Sequence, residues 1–406
     1  MGTGKGRPLP IVVLSFACLA AVATAADGPA LPRLVDLGSE GCVPCKKMAP
    51  ILEELRTEFA DRFVVEFIDV WQTPDAGDKY GIRVIPTQIF LDASGKEQFR
   101  HEGFYSREDI LAKWRELGVD VGTAESETFS RWEPVQPDGR SKDAICSVCG
   151  DDIALEARVE APTEDGDYRL CSMHHFFVTA STLDAETFAV AEHATVAEAA
   201  GGTMVPVRSA VYLYGLDESG GTPSIRAYAD RDAALAARAE SGGSIMTFPA
   251  LARRELASRC GFCQRAVYPE EAALVKLGGL QVPACCGGCA MGIAARMASE
   301  VDVRDRDRLT GEPIDITIYQ GSVASVEPST AVAWSGQRAQ PDGTRVPAGC
   351  SHQGLFASPE NLRRWVEAHP LATGEMITIH RALADKMALT PQQIRNACKI
   401  GQCAPK

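Results

Sequence analysis

Two things are scarce in this 406-residue chain: positive charge and long apolar runs. Lysine and arginine number 41 against 54 acidic residues, giving a net charge of −13. That balance argues against nucleic acid or an anionic membrane surface as a partner. Outside residues 11–22, no stretch is long and apolar enough to cross a bilayer. That one run follows Lys5 and Arg7 and precedes Ala23-Thr24-Ala25, the layout of a secretory leader cleaved near residue 25 or 26. It is short for a membrane anchor, and Ser15-Phe16-Ala17 is a poor lipidation context for Cys18. The expectation is a leader over 1–26 and an exported protein of the periplasm or cell envelope, not stably inserted in a membrane after cleavage.

Cysteine, by contrast, is plentiful. Fourteen residues fall mostly in close pairs: Cys42/Cys45, Cys146/Cys149, Cys260/Cys263, the trio Cys285/Cys286/Cys289, and Cys398/Cys403. Close pairs suit metal ligation or reversible redox better than long-range staples. Loss of Cys18 with the leader would leave an odd number, so at least one thiol must be free, metal-bound or intermolecular. The length allows two to four domains, each with enough apolar content for a core.

Gly41-Cys42-Val43-Pro44-Cys45 follows the apolar run Leu34-Val35-Asp36-Leu37, and Met48, Ile51, Leu52 and Leu55 then recur at helical spacing. Cys42 is thus predicted at a helix N-terminus, where the dipole and free N–H groups favour a thiolate. Cys45, one turn on, can resolve a mixed disulfide. A β-rich run, Phe63 to Val70, precedes Ile85-Pro86-Thr87, a strand from Gln88 to Leu91 and a turn at residues 93–96. Over residues 31–120 the sequence resembles thioredoxin. The resemblance assigns the redox pair to Cys42 and Cys45, the helix-kinking proline to Pro50 and a substrate-docking cis-proline to Pro86. It assigns a buried, proton-handling acid to Asp36. Gly41 stands where the family usually has tryptophan, and Val43 where it has glycine. Metal ligation is the other reading of an isolated CxxC pair.

Residues 122–142 are polar, with Pro134, Pro137 and Gly139, and read as a linker. A repeated spacing follows. Cys146-x2-Cys149 leads after 21 residues to Cys171-Ser172-Met173-His174-His175, and Cys260-x2-Cys263 leads after 21 residues to Cys285-Cys286-Gly287-Gly288-Cys289. Four such ligands make a plausible tetrahedral metal site, with static disulfide knuckles as the alternative. The shared spacing suggests a duplicated ancestor.

Over residues 143–255 the sequence resembles the NosL family of copper-binding envelope proteins, through Cys146-Ser147-Val148-Cys149-Gly150, Ile225 to Tyr228 and Gly242 to Phe248. Asp151 replaces that family's methionine; Met173, His174 and His175 offer substitute ligands for Cu(I). His193 reads as a surface residue. Residues 256–390 look like organomercurial lyase, the MerB family, through Cys289-Ala290-Met291-Gly292, Leu309 to Ile314, Val326-Glu327-Pro328, Cys350 and Leu355 to Leu362. The resemblance places that family's two essential cysteines at Cys289 and Cys350. Gly292 stands where its proton-donating carboxylate is expected, with Glu300 or Asp302 as substitutes. His352 is read as a solvent-facing loop residue, with an extra metal ligand as the alternative. Cys398 and Cys403, in a tail over 391–406, fit either a closing disulfide or a mobile thiol pair.

The expected architecture is an α/β thioredoxin fold over 27–121, a mixed sheet with helices on both faces. Two smaller α+β domains with cysteine cassettes follow, over 143–255 and 256–390. The expected function is cofactor-free thiol–disulfide exchange by Cys42, Cys45, Asp36 and Pro86, acting on protein disulfides or envelope metalloproteins. It is coupled to Cu(I), Hg(II) or Zn(II) held by Cys146, Cys149, Cys171, Met173, His174 and His175 in one cassette, and by Cys260, Cys263, Cys285, Cys286, Cys289 and Cys350 in the other. The alternatives are a non-enzymatic metal-binding scaffold, or a true organomercurial lyase with a substitute acid.

Overall fold

The run of apolar residues from Leu34 to Leu37 becomes β1 (Arg33–Gly38), buried almost throughout, as a strand covered on both faces must be. The computed structural model describes residues 1–2, 30–122, 129–163, 166–183, 187–215, 223–297, 299–339, 343–391 and 393. Residues 3–26 of the expected leader, Cys18 among them, and the pair Cys398/Cys403 lie outside the described residues. After β1 come α1 (Val43–Glu58), β2 (Val64–Asp69), α2 (Asp75–Tyr80), β3 (Thr87–Leu91), β4 (Glu97–Glu102) and α3 (Arg107–Glu116). The sheet order is β2-β1-β3-β4, with β1 parallel to β2 and antiparallel to β3. Alternation along the strands sends Leu34 and Phe90 to the face under α1 and α3, and Val35, Leu37 and Ile89 to the face under α2. Trp114 fills the first face, 4.7 Å from Phe90 and 5.0 Å from Phe63 between ring centroids.

The polar segment read as a linker departs from that reading. Ser130–Arg131 forms β5, which pairs with a strand more than two hundred residues later, and Arg131 Nε donates to the Ala372 carbonyl at 2.7 Å. Its composition is that of an exposed edge strand, so nothing local marked it.

The middle domain holds β6 (Val159–Thr163), β7 (Gly166–Leu170), α4 (Met173–Ala180), α5 (Thr187–His193), β8 (Thr195–Ala197) and β9 (Met204–Pro206). β10 (Val211–Gly215), β11 (Ser224–Tyr228), α6 (Arg231–Ser241), β12 (Ser244–Thr247) and α7 (Phe248–Glu255) complete it. Its sheets run β7-β6-β8-β9 and β11-β10-β12.

The last domain begins with β13 (Ala273–Leu277), β14 (Leu280–Ala284), α8 (Gly287–Ala294), β15 (Val301–Arg306), β16 (Pro313–Tyr319) and β17 (Ser322–Glu327). β18 (Val332–Ala339), β19 (Arg345–Pro347), β20 (Gln353–Phe356), α9 (Pro359–Ala368), β21 (Gly374–Thr378) and α10 (Ile379–Met387) follow. One sheet is β14-β13-β15-β16-β17; the other is β19-β18-β21-β5, with β20 also on β18. Among the described residues no helix is long and apolar enough to cross a membrane.

The first and last domains meet along β16–β17. Phe104 packs edge-on against Tyr319, Lys47 lies over the same ring and pairs with Glu300 at 2.7 Å, and Ser322 donates to Asp109 at 3.3 Å.

Candidate redox pair and cysteine nests

α1 starts where Cys42 leaves the extended backbone. Cys42 is the N-cap, its sulfur accepts from the Cys45 N–H at 3.3 Å, and Pro44 sits in the first turn, where no N–H is needed. Cys42 and Cys45 form a disulfide. Cys42 is partly exposed and Cys45 is buried, the order expected of attacking and resolving sulfurs. The Ile85–Pro86 bond is cis and the Ile85 carbonyl lies 4.0 Å from the Cys42 sulfur. Asp36 is fully buried on β1. Burial pushes its carboxyl up to about 6 despite a 2.7 Å hydrogen bond from Gln88. A Cβ on Gly38 would stand 3.2 Å from the Cys45 sulfur, so β1 runs directly beneath the pair. The tryptophan missing at position 41 is replaced from elsewhere: the Trp71 indole, just past β2, covers Gly41 so closely that a Cβ there would sit 2.3 Å from its ring. Trp71, Val43 and Val84 together leave an exposed apolar rim around Cys42.

The two cassettes fold alike, bond for bond. In the first, the Cys146 N–H donates to the Asp151 carbonyl, Gly150 to Cys146 and Ser147 to Arg169; in the second, Cys260 donates to Arg265, Gln264 to Cys260 and Gly261 to Pro283. Each knuckle is followed by a hairpin (β6–β7, β13–β14), a cysteine, and a helix that begins under an N-cap side chain, Ser172 on α4 and Cys286 on α8. In the first nest the sulfurs of Cys171 and Cys146 lie 3.0 and 3.4 Å from His175 Nδ1, and Cys149 lies 3.9 Å from Cys171. The four donor atoms fall within 4.8 Å of one another. Hydrogen bonds from Cys149 and Cys171 hold the Cys146 thiol far below its ordinary range. Burial alone would lower His175, but the Cys146 and Cys171 sulfurs outweigh it and hold the imidazole at about 9. In the second nest Cys260, Cys263, Cys285 and Cys289 make one group of four, and Cys285, Cys286, Cys289 and Cys350 make another. Hydrogen bonds from Cys263, Cys285 and Cys289 hold Cys260 equally low. The neighbouring sulfurs push Cys149, Cys285 and Cys289 the other way, so each nest mixes thiolate with thiol, and sulfur gathered in this way suits a soft or borderline cation.

The thioredoxin family profile matches residues 24–116, and the thioredoxin of Acidithiobacillus ferridurans is 41% identical over 81 residues, 20% of this chain and 74% of that protein. The chain belongs to the thioredoxin family. The thioredoxin of Rhodospirillum rubrum is 46% identical over 68 residues, 16% of this chain and 62% of its own length. The thioredoxin Deadhead of Drosophila melanogaster aligns with a TM-score of 0.20 at 23% identity, over 22% of this chain and 82% of its own. The MerB alkylmercury lyase profile matches residues 270–389. The mercury-bound form of MerB2 aligns at 25% identity with a TM-score of 0.25, over 35% of this chain and 71% of its own. These thioredoxin relatives support thiol–disulfide exchange by the N-terminal domain, and a MerB-like domain occupies residues 270–389.

Some expected site residues lie elsewhere. Met173, first in α4, is buried in the apolar core of the middle domain rather than in the nest. His174 turns away from the cysteines, stacks on Tyr268 at 4.0 Å and contacts Glu255 at 2.8 Å; the Tyr268 hydroxyl donates to the same carboxylate. On a helix only one of two adjacent residues can face a given neighbour, and it is His175. His352 is not solvent-facing. It is partly buried, burial with help from Arg308 holds it down at about 4, and its Nδ1 lies 3.0 Å from Ser351 Oγ.

In the MerB-like domain, a side chain at Gly292 would strike the Phe262 ring, 2.6 Å from the Cβ position, which explains the missing acid. Neither suggested substitute reaches the nest: Glu300 pairs with Lys47, and Asp302 faces Thr317 on the exposed side of β15. Asp305, on the other side of that strand, does reach it. Its Oδ2 lies 2.7 Å from where a Gly287 Cβ would be, and burial, with the charge of Cys286, raises its carboxyl to about 6. The period-two alternation of β15 is the signal that separates Asp305 from Asp302.

Proposed function

We propose that this protein is an exported thiol–disulfide oxidoreductase that serves its own metal-binding thiols, keeping them reduced so that they can take up and pass on a soft metal. The observation carrying the reading is that, among the described residues, nine cysteines outside the disulfide gather into nests on the same chain as an exchange-type cysteine pair. In an oxidising compartment such close thiols tend to close into disulfides, which no longer ligate metal. The Cys42 thiolate attacks a nest disulfide such as Cys149–Cys171 and releases one sulfur as thiolate. Cys45, deprotonated by Asp36, then attacks the Cys42 sulfur and frees the second. Two electrons pass to the nest, Cys42–Cys45 is left oxidised, and an external thiol donor restores it. Pro86 lies where the incoming backbone would dock. For residues 143–255 the NosL resemblance favours copper, and three thiols with His175 suit Cu(I) or Zn(II).

Thiol trapping with mass spectrometry and elemental analysis on wild type and Cys42→Ser tests this. The variant is expected to accumulate oxidised nests and lose bound metal. Nests that stay reduced and loaded in Cys42→Ser would sink the coupling, and zinc or disulfide fixed in both would favour a structural scaffold.

Asp305 supports a second reading, carbon–mercury cleavage in the MerB-like domain. Two nest thiolates would hold mercury while the Asp305 carboxyl gives its proton to the departing carbon, yielding hydrocarbon and thiolate-bound Hg(II). Hydrocarbon release from an alkylmercury substrate, abolished by Asp305→Asn, is the test; no release from wild type excludes it.

A further inference from the structure

The two cassettes share a fold but not a ligand count. Where the first has Ser172 capping its helix, the second has Cys286, and Cys350 comes in from the turn at Cys350–His352. Both additions lie on the same side of the nest, because Cys285, Cys286, Cys289 and Cys350 form a four-sulfur group of their own within 4.8 Å. Cys260, Cys263, Cys285 and Cys289 form another. The two groups overlap in Cys285 and Cys289.

We propose that the six thiols of Cys260, Cys263, Cys285, Cys286, Cys289 and Cys350 form a two-metal centre in which Cys285 and Cys289 bridge a pair of soft divalent ions. This rests on the reading that the nests bind soft metal, and gives the second nest a capacity that the first does not have.

Two four-sulfur groups with a pair in common are the donor set for two tetrahedra sharing an edge. A tetrahedral thiolate site with metal–sulfur bonds near 2.3 Å has sulfurs about 3.8 Å apart. The separations are 3.5 Å for Cys263–Cys285, 3.5 Å for the shared edge Cys285–Cys289, and 3.8 Å for Cys289–Cys350. Cys260 and Cys263 complete one ion from the knuckle; Cys286 and Cys350 complete the other from the helix cap and the turn.

Charge points the same way. Cys260, Cys263, Cys289 and Cys350 are buried, where thiolates are costly unless neutralised. Were all six sulfurs to ligate as thiolates, one divalent ion would leave a large buried negative charge, and a second would halve it. The N-terminus of α8, where the Cys289 N–H donates to the Cys286 sulfur at 3.4 Å, offsets part of the remainder. Each ion displaces thiol protons on entry, so loading releases acid.

The test uses the full chain with Cys18, Cys42, Cys45, Cys398 and Cys403 changed to serine, so that only the nest thiols remain. Because it lacks its own exchange pair, it is first reduced with a phosphine under argon and its nine thiols are counted, and it is then loaded with cadmium-113 and read by native mass spectrometry and cadmium NMR. One ion is expected in the Cys146/Cys149/Cys171/His175 nest and two in the six-thiol nest, the latter two scalar-coupled through shared sulfur. Cys260→Ser/Cys263→Ser and Cys286→Ser/Cys350→Ser should each lose one ion, and Cys285→Ser/Cys289→Ser should lose both. The first-nest ion, retained throughout, reports that each variant is folded. Where a variant loses that ion as well, the coupling in the parent protein decides.

A single ion in the six-thiol nest, or two uncoupled resonances, overturns the bridged centre and leaves the broader metal reading standing. If neither nest takes cadmium, both fall.

Discussion

Asp36 and Trp71 show what single side chains decide here. Asp36 binds its proton more tightly folded than unfolded, since burial raises it from 3.8 to about 6. The domain therefore loses stability as pH climbs through that window and carries a constant penalty above it, roughly 3 kcal/mol as an upper figure. Asp36→Asn should raise the denaturation midpoint at pH 7.5 and leave it nearly unchanged at pH 3. The same variant should slow insulin disulfide reduction roughly a hundredfold and erase an inflection near pH 6 in the rate profile. A faster or unchanged rate would remove Asp36 from the proton path. Trp71→Ala strips the indole from Gly41 and should lower kcat/KM for protein disulfides about tenfold through KM, with little change for a small disulfide such as hydroxyethyl disulfide. Asp36, which the fold buries on β1, was picked out in the sequence by the thioredoxin resemblance. Trp71 was not, because its approach to Gly41 is set by the end of β2, thirty residues away in sequence.

At the scale of elements, the knuckles are the part the sequence exposes best. Their ligand spacing is local, and the same hydrogen bonds close both loops. Each closure needs a residue in the left-handed region, Gly150 at φ +79° and Gln264 at +64°. Glycine takes that conformation freely, whereas a side chain there costs about 1–2 kcal/mol. Gly150→Ala should therefore destabilise the middle domain by about 1 kcal/mol in urea unfolding and weaken metal uptake at the first nest. Gln264→Gly should cost nothing or stabilise slightly. What spacing alone did not separate was His174 from His175, which face opposite neighbours from adjacent helical positions, or Asp305 from Asp302, which alternate across one strand. Periodicity tells faces apart only once it is known which face meets the site.

Across the whole molecule, the docking of the thioredoxin domain on β16–β17 rests on the Phe104–Tyr319 contact more than on Lys47–Glu300, since an exposed ion pair contributes at most about 1 kcal/mol. Tyr319→Ala should slow re-reduction of the nests by the fused domain while reduction of a free disulfide substrate stays unchanged. Equal loss of both would mean that the contact serves the redox site itself. No composition signal announced this interface or the pairing of β5 with β21, because both join residues far apart along the chain. That pairing also sets a timetable. Ser130–Arg131 leaves the ribosome more than two hundred residues before its partner Gly374–Thr378. Until then the segment after the thioredoxin domain waits with an open strand edge, and a nascent chain stalled anywhere between them holds a redox domain with its tether unfastened. The middle domain is thus a passenger looped out between two strands of one sheet, and that sheet closes only when the MerB-like domain reaches back past it.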